Sequence, residues 1–232
     1  MNELIRYISN LYTEYGEMIG QGILETLYMT FTATFVSYLL GLPIGILSVI
    51  TKKGGLFPII IINRVLGFII NIGRSIPFII LLVFVMPVTR AIVGTTIGPK
   101  AATVPLIIAA TPFVARLIEN ALLEVDSGVI EAAKAMGANV RQIIFKVMIP
   151  EALPSMVMGA SLATITLVGY TAMAGAVGGR GLGDIALRFG YYRYETDIMV
   201  VTIVLLVVLV QLIQSLGNKI TKIIDKRGKG EN

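Results

Sequence analysis

The 232-residue sequence predicts an all-α integral membrane protein built on five transmembrane helices, and three observations carry that expectation. Charged side chains make up 14% of the chain and hydrophobic ones 56%, with a mean hydropathy of +0.85. A soluble domain carries about 25% charged residues, so this composition belongs in a bilayer. Five apolar runs, 27–50, 57–88, 101–123, 155–177 and 198–216, reach the roughly 20 residues that a helix needs to cross about 30 Å of hydrocarbon. The runs are continuously apolar instead of alternating. Strands of a β-barrel would alternate and need only about 10 residues each, whereas helices satisfy their backbone groups internally.

Taken in order, residues 1–20 place Leu4, Ile5, Ile8, Leu11, Tyr12, Tyr15, Met18 and Ile19 on one helical stripe, with Glu3, Asn10, Glu14 and Glu17 elsewhere. That is the pattern of an N-terminal interfacial helix. It lacks the basic start, unbroken apolar core and small-residue cleavage site of a signal peptide. The first span holds Thr26, Thr30, Thr32, Thr34 and Ser37, then Gly41, Pro43 and Gly45. Small and hydroxyl residues let membrane helices approach closely and bond across the gap, so this helix is expected to face protein. Lys52, Lys53, Gly54 and Gly55 end it as a short charged turn.

The second run, long enough to hold an extra segment, is interrupted by Asn71-Ile72-Gly73-Arg74-Ser75-Ile76-Pro77. Proline removes a backbone donor and kinks a helix, and an arginine in an apolar run is costly unless paired, hydrated or near an interface. Arg74 is expected either to snorkel to the inner surface or to line a polar cavity. The third run contains Pro105 and Pro112 and turns amphipathic at Arg116 and Glu119, which share a helix face and suit a local ion pair. Glu124, Val125, Asp126, Ser127 and Gly128 then break the helix and supply cap-type residues for a new one.

The segment 124–154 is mildly charged and rich in small residues, set between two strongly apolar spans. Ala132, Ala133, Ala135, Gly137 and Ala138 predict a helix with a nearly side-chain-free surface, open to close approach by another protein's groove. Glu131 is expected to begin it, near the positive end of the helix dipole, and to be spaced for pairing with Lys134. Composition alone equally allows a cytoplasmic connector. The fourth span, with Ser161, Thr164, Thr166, Gly169, Tyr170 and Thr171, is the most polar of the five, although a single hydroxyl in a span usually serves helix packing. Beyond it, Gly178-Gly179-Arg180-Gly181-Leu182-Gly183 forms a glycine turn before a short helix with Arg188, Tyr191, Tyr192 and Arg193. The spacing imitates a dinucleotide loop, but no strand is predicted before it. The last run is the most uniformly apolar and is expected to face lipid, and the basic tail 219–229 suits anionic headgroups.

The chain has neither cysteine nor histidine. Disulfides and thiolate chemistry are excluded, and the commonest general base and metal ligand is missing, so no catalysis, cofactor or metal is expected of this chain alone. Its formal charge of +5 is scattered over loops without interleaved aromatics, which argues against nucleic acid. The charge reads better as topology. With the carboxyl terminus cytoplasmic and the amino terminus outside, Lys52, Lys53, Lys134, Arg141, Lys146, Lys219, Lys222, Lys226, Arg227 and Lys229 fall inside. Arg6, Arg90, Lys100, Arg180, Arg188 and Arg193 fall outside, a bias in the direction of the positive-inside rule.

Glu131-Ala132-Ala133, Gly137 six residues after the Glu, and Phe145, Val147, Ile149 and Pro150 resemble the EAA signature of ABC importer permeases. That signature is Glu-Ala-Ala, three residues, Gly, nine residues, Ile-x-Leu-Pro, with Val147 and Ile149 as conservative departures here. Over nearly the whole chain the sequence is similar, more narrowly, to methionine-importer permeases. The matching stretches are Glu25-Thr26-Leu27-Tyr28-Met29-Thr30, Gly73-Arg74-Ser75-Ile76-Pro77-Phe78, and Ala172-Met173-Ala174-Gly175-Ala176-Val177-Gly178-Gly179-Arg180-Gly181-Leu182-Gly183-Asp184. Arg180 stands where the family's run has a glycine, which puts the local turn geometry in question.

The resemblance implies one permease domain over 1–232, paired as a homodimer in the bacterial cytoplasmic (inner) membrane. It also implies two cytoplasmic ABC ATPase subunits and an extracytoplasmic methionine-binding lipoprotein. In that assembly 124–154 is the cytoplasmic EAA loop, and its coupling helix meets the ATPase through Glu131, Ala132, Ala133, Gly137, Ala138 and Pro150. Candidates for the translocation path are Arg74, Ser75, Thr164, Thr166, Tyr170 and Thr171, and for the binding-protein dock Arg180, Arg188 and Tyr192. ATP chemistry then belongs to the partner, in keeping with the lack of a Gly-x-x-x-x-Gly-Lys-Ser/Thr loop here. A permease for another amino acid or small solute would share the EAA pattern. A secondary transporter would need intramembrane acids and internal repeats, yet Glu25 and Glu119 lie near span ends. A membrane scaffold or insertase-like partner protein is the remaining class.

Overall fold

The computed structural model describes residues 2–225, with side chains from residue 13 onward, and every regular element among them is helical. α1 (Asn2–Thr51) is one helix of 50 residues. The amphipathic stretch expected as a separate interfacial helix continues into the first span without a break, because its apolar stripe and the span share the same helical period. The stripe's members from Leu4 to Tyr12 lie outside the described side chains. Further along, α1 is held close by other helices, as its small residues predict. A Cβ added at Gly41 would stand 2.8 Å from Val114 Cγ1, and one at Gly45 would stand 2.7 Å from the Ala115 carbonyl oxygen.

The second apolar run is not one straight span. It divides into α2 (Ile60–Ser75), α3 (Phe78–Phe84) and α4 (Met86–Val93). Ile76 is extended, at φ −80° and ψ 123°, as the residue before a proline prefers, and Pro77 offers no N–H to continue α2. The described chain therefore has four helices long and apolar enough to cross a membrane, or five when α2 and α3 count as one broken span.

α5 (Pro99–Leu123) is the third span. The EAA region follows as α6 (Ser127–Ala135), α7 (Val140–Ile143) and a π-helical turn, Ile144–Met148, that runs into α8 (Ile149–Gly175). The π turn leads up to Pro150, which has no N–H to give. α9 (Leu182–Ile185), a second π turn (Ala186–Tyr191) and α10 (Thr196–Ile224) complete the described chain. Along α10 only Ile198, Thr202 and Gly217 are buried, while Val204, Val207 and Leu212 are exposed as expected of a lipid-facing helix. Of the basic tail, Lys226, Arg227 and Lys229 lie outside the described residues.

The chain forms two compact units. One comprises Met1–Ala33, Phe78–Leu106 and Thr166–Val210, and the other Thr34–Pro77, Ile107–Ile165 and Gln211–Asn232. The first has Met29, Phe78, Leu106, Leu167, Leu182 and Ile198 buried. The second has a core of Val114, Ile118, Leu122, Ile143, Met148 and Met156, on which Tyr38, Phe113, Ile130 and Ala138 pack.

Candidate functional site

The EAA segment lies in the second unit and is a short helix with both ends built by side chains or backbone. Asp126 caps α6, its Oδ1 accepting from the Gly128 N–H at 2.6 Å, so the cap-type residues do start a helix here. That cap places Glu131 in the second turn of α6, not at its start. No ion pair joins Glu131 to Lys134 among the described residues. At the other end, the Gly137 N–H donates to the Lys134 carbonyl at 2.9 Å and the Ala138 N–H to the Ala133 carbonyl at 3.1 Å. These are the two bonds of a Schellman motif. Gly137 holds φ +80°, so Gly137 and Ala138 close α6 instead of extending it.

Ala133 is buried and Ile130 half-buried on the core side, while Glu131, Ala132, Lys134 and Ala135 are exposed. α6 thus presents two alanine methyls and one charge of each sign outward, a surface another backbone can approach closely. A capping box then starts α7. Asn139 Oδ1 accepts from the Gln142 N–H and Gln142 Oε1 from the Asn139 N–H, both at 2.9 Å. Its Asn-x-x-Gln spacing is legible in the sequence as a helix start. Pro150 is exposed in the first turn of α8, and Ser155 donates to Glu124 Oε2 at 2.6 Å.

The six path candidates divide between the units. In the second unit, Arg74 is exposed in the last turn of α2. The Ser75 hydroxyl donates to its own helix at the Asn71 carbonyl, 2.8 Å away. Thr164 is buried and donates to the Ala160 carbonyl at 2.7 Å, with the Thr34 hydroxyl 3.4 Å from its oxygen. In the first unit, Thr171 is buried and donates to the Val168 carbonyl, Thr166 is half-buried, and Tyr170 stacks on Phe78 with ring centroids 4.4 Å apart. Sequence reading found the Arg116–Glu119 pair, at 2.7 Å. It missed that Arg116 also donates to Asn71 Oδ1 at 2.7 Å, tying α5 to the end of α2, where Gly73 packs on Pro112.

In the first unit, the turn before α9 carries the dock candidates. Arg180 sits at φ +63°, left-handed backbone where a glycine is at ease. The next two N–H groups are captured by α1: Gly181 donates to Glu25 Oε2 at 3.0 Å and Leu182 to Thr26 Oγ1 at 2.9 Å. Glu25 Oε1 stands 3.7 Å from Arg180 Nη1, and Asp184 pairs with Arg188 at 2.9 Å. Burial pushes the Asp184 carboxyl above its ordinary value; Arg188 opposes this, Glu25 adds to it, and Arg180 opposes it. Arg188 and Arg193 both lie over the Phe189 ring, at 5.0 and 4.5 Å, while Tyr192 is exposed and meets Tyr191 edge-on.

Residues 41–229 match the family described as "Binding-protein-dependent transport system inner membrane component". A probable D-methionine transport system permease protein of Vibrio cholerae is 54% identical over 203 residues, 88% of this chain and 90% of that protein. A methionine import system permease protein of Bacillus subtilis is 46% identical, over 88% of this chain and 91% of its own. A chain of the MetNI methionine ABC transporter, solved in an inward-facing conformation, superposes with a TM-score of 0.90 at 49% identity, covering 92% of this chain and 99% of that one.

Proposed function

Because the chain belongs to the family of binding-protein-dependent transport system inner membrane components, we propose that it is the permease subunit of an ABC importer for methionine. One observation carries the substrate: the likeness to methionine permeases runs over nearly the full length, in sequence and in fold. The protein is then a multi-pass inner-membrane subunit whose translocation path works by alternating access. ATP hydrolysis is the task of a separate subunit, and two such ATPases, a second copy of this chain and an extracytoplasmic methionine-binding lipoprotein complete the assembly.

In this reading the amino terminus is outside and the carboxyl terminus cytoplasmic, and the amphipathic start of α1 stands at the outer side as the continuation of the first span. The EAA helix carries the ATPase's motion into the spans. Three features support it: a rigid cap at each end, the exposed alanine face, and a Ser155–Glu124 bond that ties the start of α8 to the end of α5. Such a switch requires the ATP-bound and ATP-free partners to bind the two permease states unequally. Arg74, Ser75, Thr166 and Tyr170 are the path candidates with exposed or half-buried positions; Thr164 and Thr171 would join them only in another conformation. Arg188 and Tyr192 offer the binding protein exposed polar and aromatic contacts, and so does Arg180.

Copurification with an ATPase subunit, followed by a binding-protein-stimulated ATPase assay, tests the reading. Stimulation by methionine-loaded binding protein is expected. Stimulation by a different loaded solute would keep the importer and replace the substrate, and uptake persisting without any ATPase would favour a secondary transporter.

A further inference from the structure

Within the first unit, four charged side chains of alternating sign line one cavity of about 280 Å³: Glu25, Arg180, Asp184 and Arg188. Its apolar wall includes Met18 and Ile97. A second, mostly apolar groove of about 590 Å³ opens beside it, lined by Leu24, Tyr28, Val93 and Pro99, with Lys100 as a further cation on its wall. The two spaces share Glu25, Ile97 and Arg180. This junction therefore joins a charged chamber to an apolar one.

The shared pair is fixed in place yet incompletely engaged. The Glu25 carboxylate accepts from the Gly181 N–H at Oε2, 3.0 Å away, and from Gln21 Nε2 at Oε1, 3.3 Å away, which leaves lone pairs on both oxygens, and its side chain is 16% exposed. Arg180 is 57% exposed, and its Nη1 stands 3.7 Å from Glu25 Oε1, outside hydrogen-bond distance, with Asp184 within its electrostatic reach. It also occupies left-handed backbone that costs an L-residue energy. A strained residue held this firmly is a reason to look for a function. The backbone around it cannot relax easily: a Cβ at Gly181 would lie 2.7 Å from Thr26 Oγ1, and one at Gly183 would collide with the Ala172 backbone.

We propose that Glu25 and Arg180 form the head-group end of a binding subsite for a zwitterionic α-amino acid with an apolar side chain. The Arg180 guanidinium takes the ligand's carboxylate as a planar donor pair. The Glu25 carboxylate takes its ammonium, and the side chain lies in the groove of Leu24, Tyr28, Val93 and Pro99. At the head-group end, paired opposite charges match a zwitterion better than a net cation or anion, and the binding of glutamate measures how far Lys100 on the groove wall offsets that preference. Methionine as the ligand rests on the function proposed above, which also puts this site on the outer face.

The test is direct binding of radiolabelled L-methionine, leucine and glutamate to the full-length chain in nanodiscs, without binding protein. Saturable methionine binding is expected. It should weaken about tenfold or more in Arg180→Gly and in Glu25→Gln, the loss of one charged hydrogen bond. Arg180→Gly relieves the backbone, and Glu25→Gln keeps an acceptor for the Gly181 N–H, so neither variant should lower the unfolding temperature. Methionine methyl ester, which has no carboxylate, should be insensitive to Arg180→Gly while remaining sensitive to Glu25→Gln. Saturable binding of leucine but not methionine, with the same residue dependence, would keep the site and remove methionine as its ligand. Absence of saturable binding by any of the three, or equal affinity in wild type and both variants, would overturn the site even if methionine uptake is intact.

Discussion

Replacing Gly137 separates two roles for the glycine of the EAA signature. Its backbone is at φ +80°, and an added Cβ would meet no atom within 4 Å. A side chain here is thus opposed by the backbone, not by neighbours in this chain. Left-handed backbone costs an L-residue roughly 1–2 kcal/mol, which lowers the population of the closed turn by about 5- to 30-fold. Both closing bonds, Gly137 N–H to Lys134 and Ala138 N–H to Ala133, depend on that conformation. Asparagine tolerates it better than alanine, and a β-branched residue tolerates it worst. Coupling should therefore fall in the order Gly, Asn, Ala, Val, with insertion into the membrane unchanged. The assay is methionine-dependent ATPase stimulation in a reconstituted complex, alongside hydrogen exchange at residues 133–138. If Gly137→Asn is as damaging as Gly137→Val, contact with a partner and not the Schellman turn controls the position, and the conformational reasoning is refuted.

Gly45→Ala puts a methyl 2.7 Å from the Ala115 carbonyl oxygen and 2.8 Å from Ile118 Cβ, so it should destabilise by about 1–3 kcal/mol; an unchanged thermal midpoint in detergent would contradict this packing. Asp184 has a raised carboxyl, chiefly through burial, so its protonated form favours the fold. The stability tied to it is fully present below the unfolded-state value and is lost as pH rises through the interval from that value to the raised folded one. The unfolding temperature of wild type relative to Asp184→Asn should fall across that interval, and a flat or rising difference would contradict it.

Apolar runs made the spans legible, because a bilayer demands length and continuity that composition records directly. The Asp126 cap and the Arg116–Glu119 pair were legible because both are local, two and three residues apart. The end of the EAA helix, and the place of Glu131 within it, were not. An alanine run marks helix propensity but no boundary, and the true start is set by a cap five residues before Glu131, the true end by a left-handed glycine that the same run includes. The continuity of α1 escaped for a related reason, since a change from amphipathic to wholly apolar does not itself break a helix. Contacts such as Gly181 with Glu25, 156 residues apart, and Arg116 with Asn71, 45 apart, depend on the tertiary fold. Even there one residue gave warning: arginine in a glycine run pointed to the turn that the structure finds in left-handed backbone.

ATP-driven accumulation of radiolabelled methionine in proteoliposomes tests the central claim most directly. The vesicles would hold this chain and its ATPase, with methionine-binding protein added outside. Accumulation that requires all three proteins and ATP, and is lost in Gly137→Val, is the predicted result. Full accumulation without the ATPase, or none with the complete set while another solute is imported, would contradict the account.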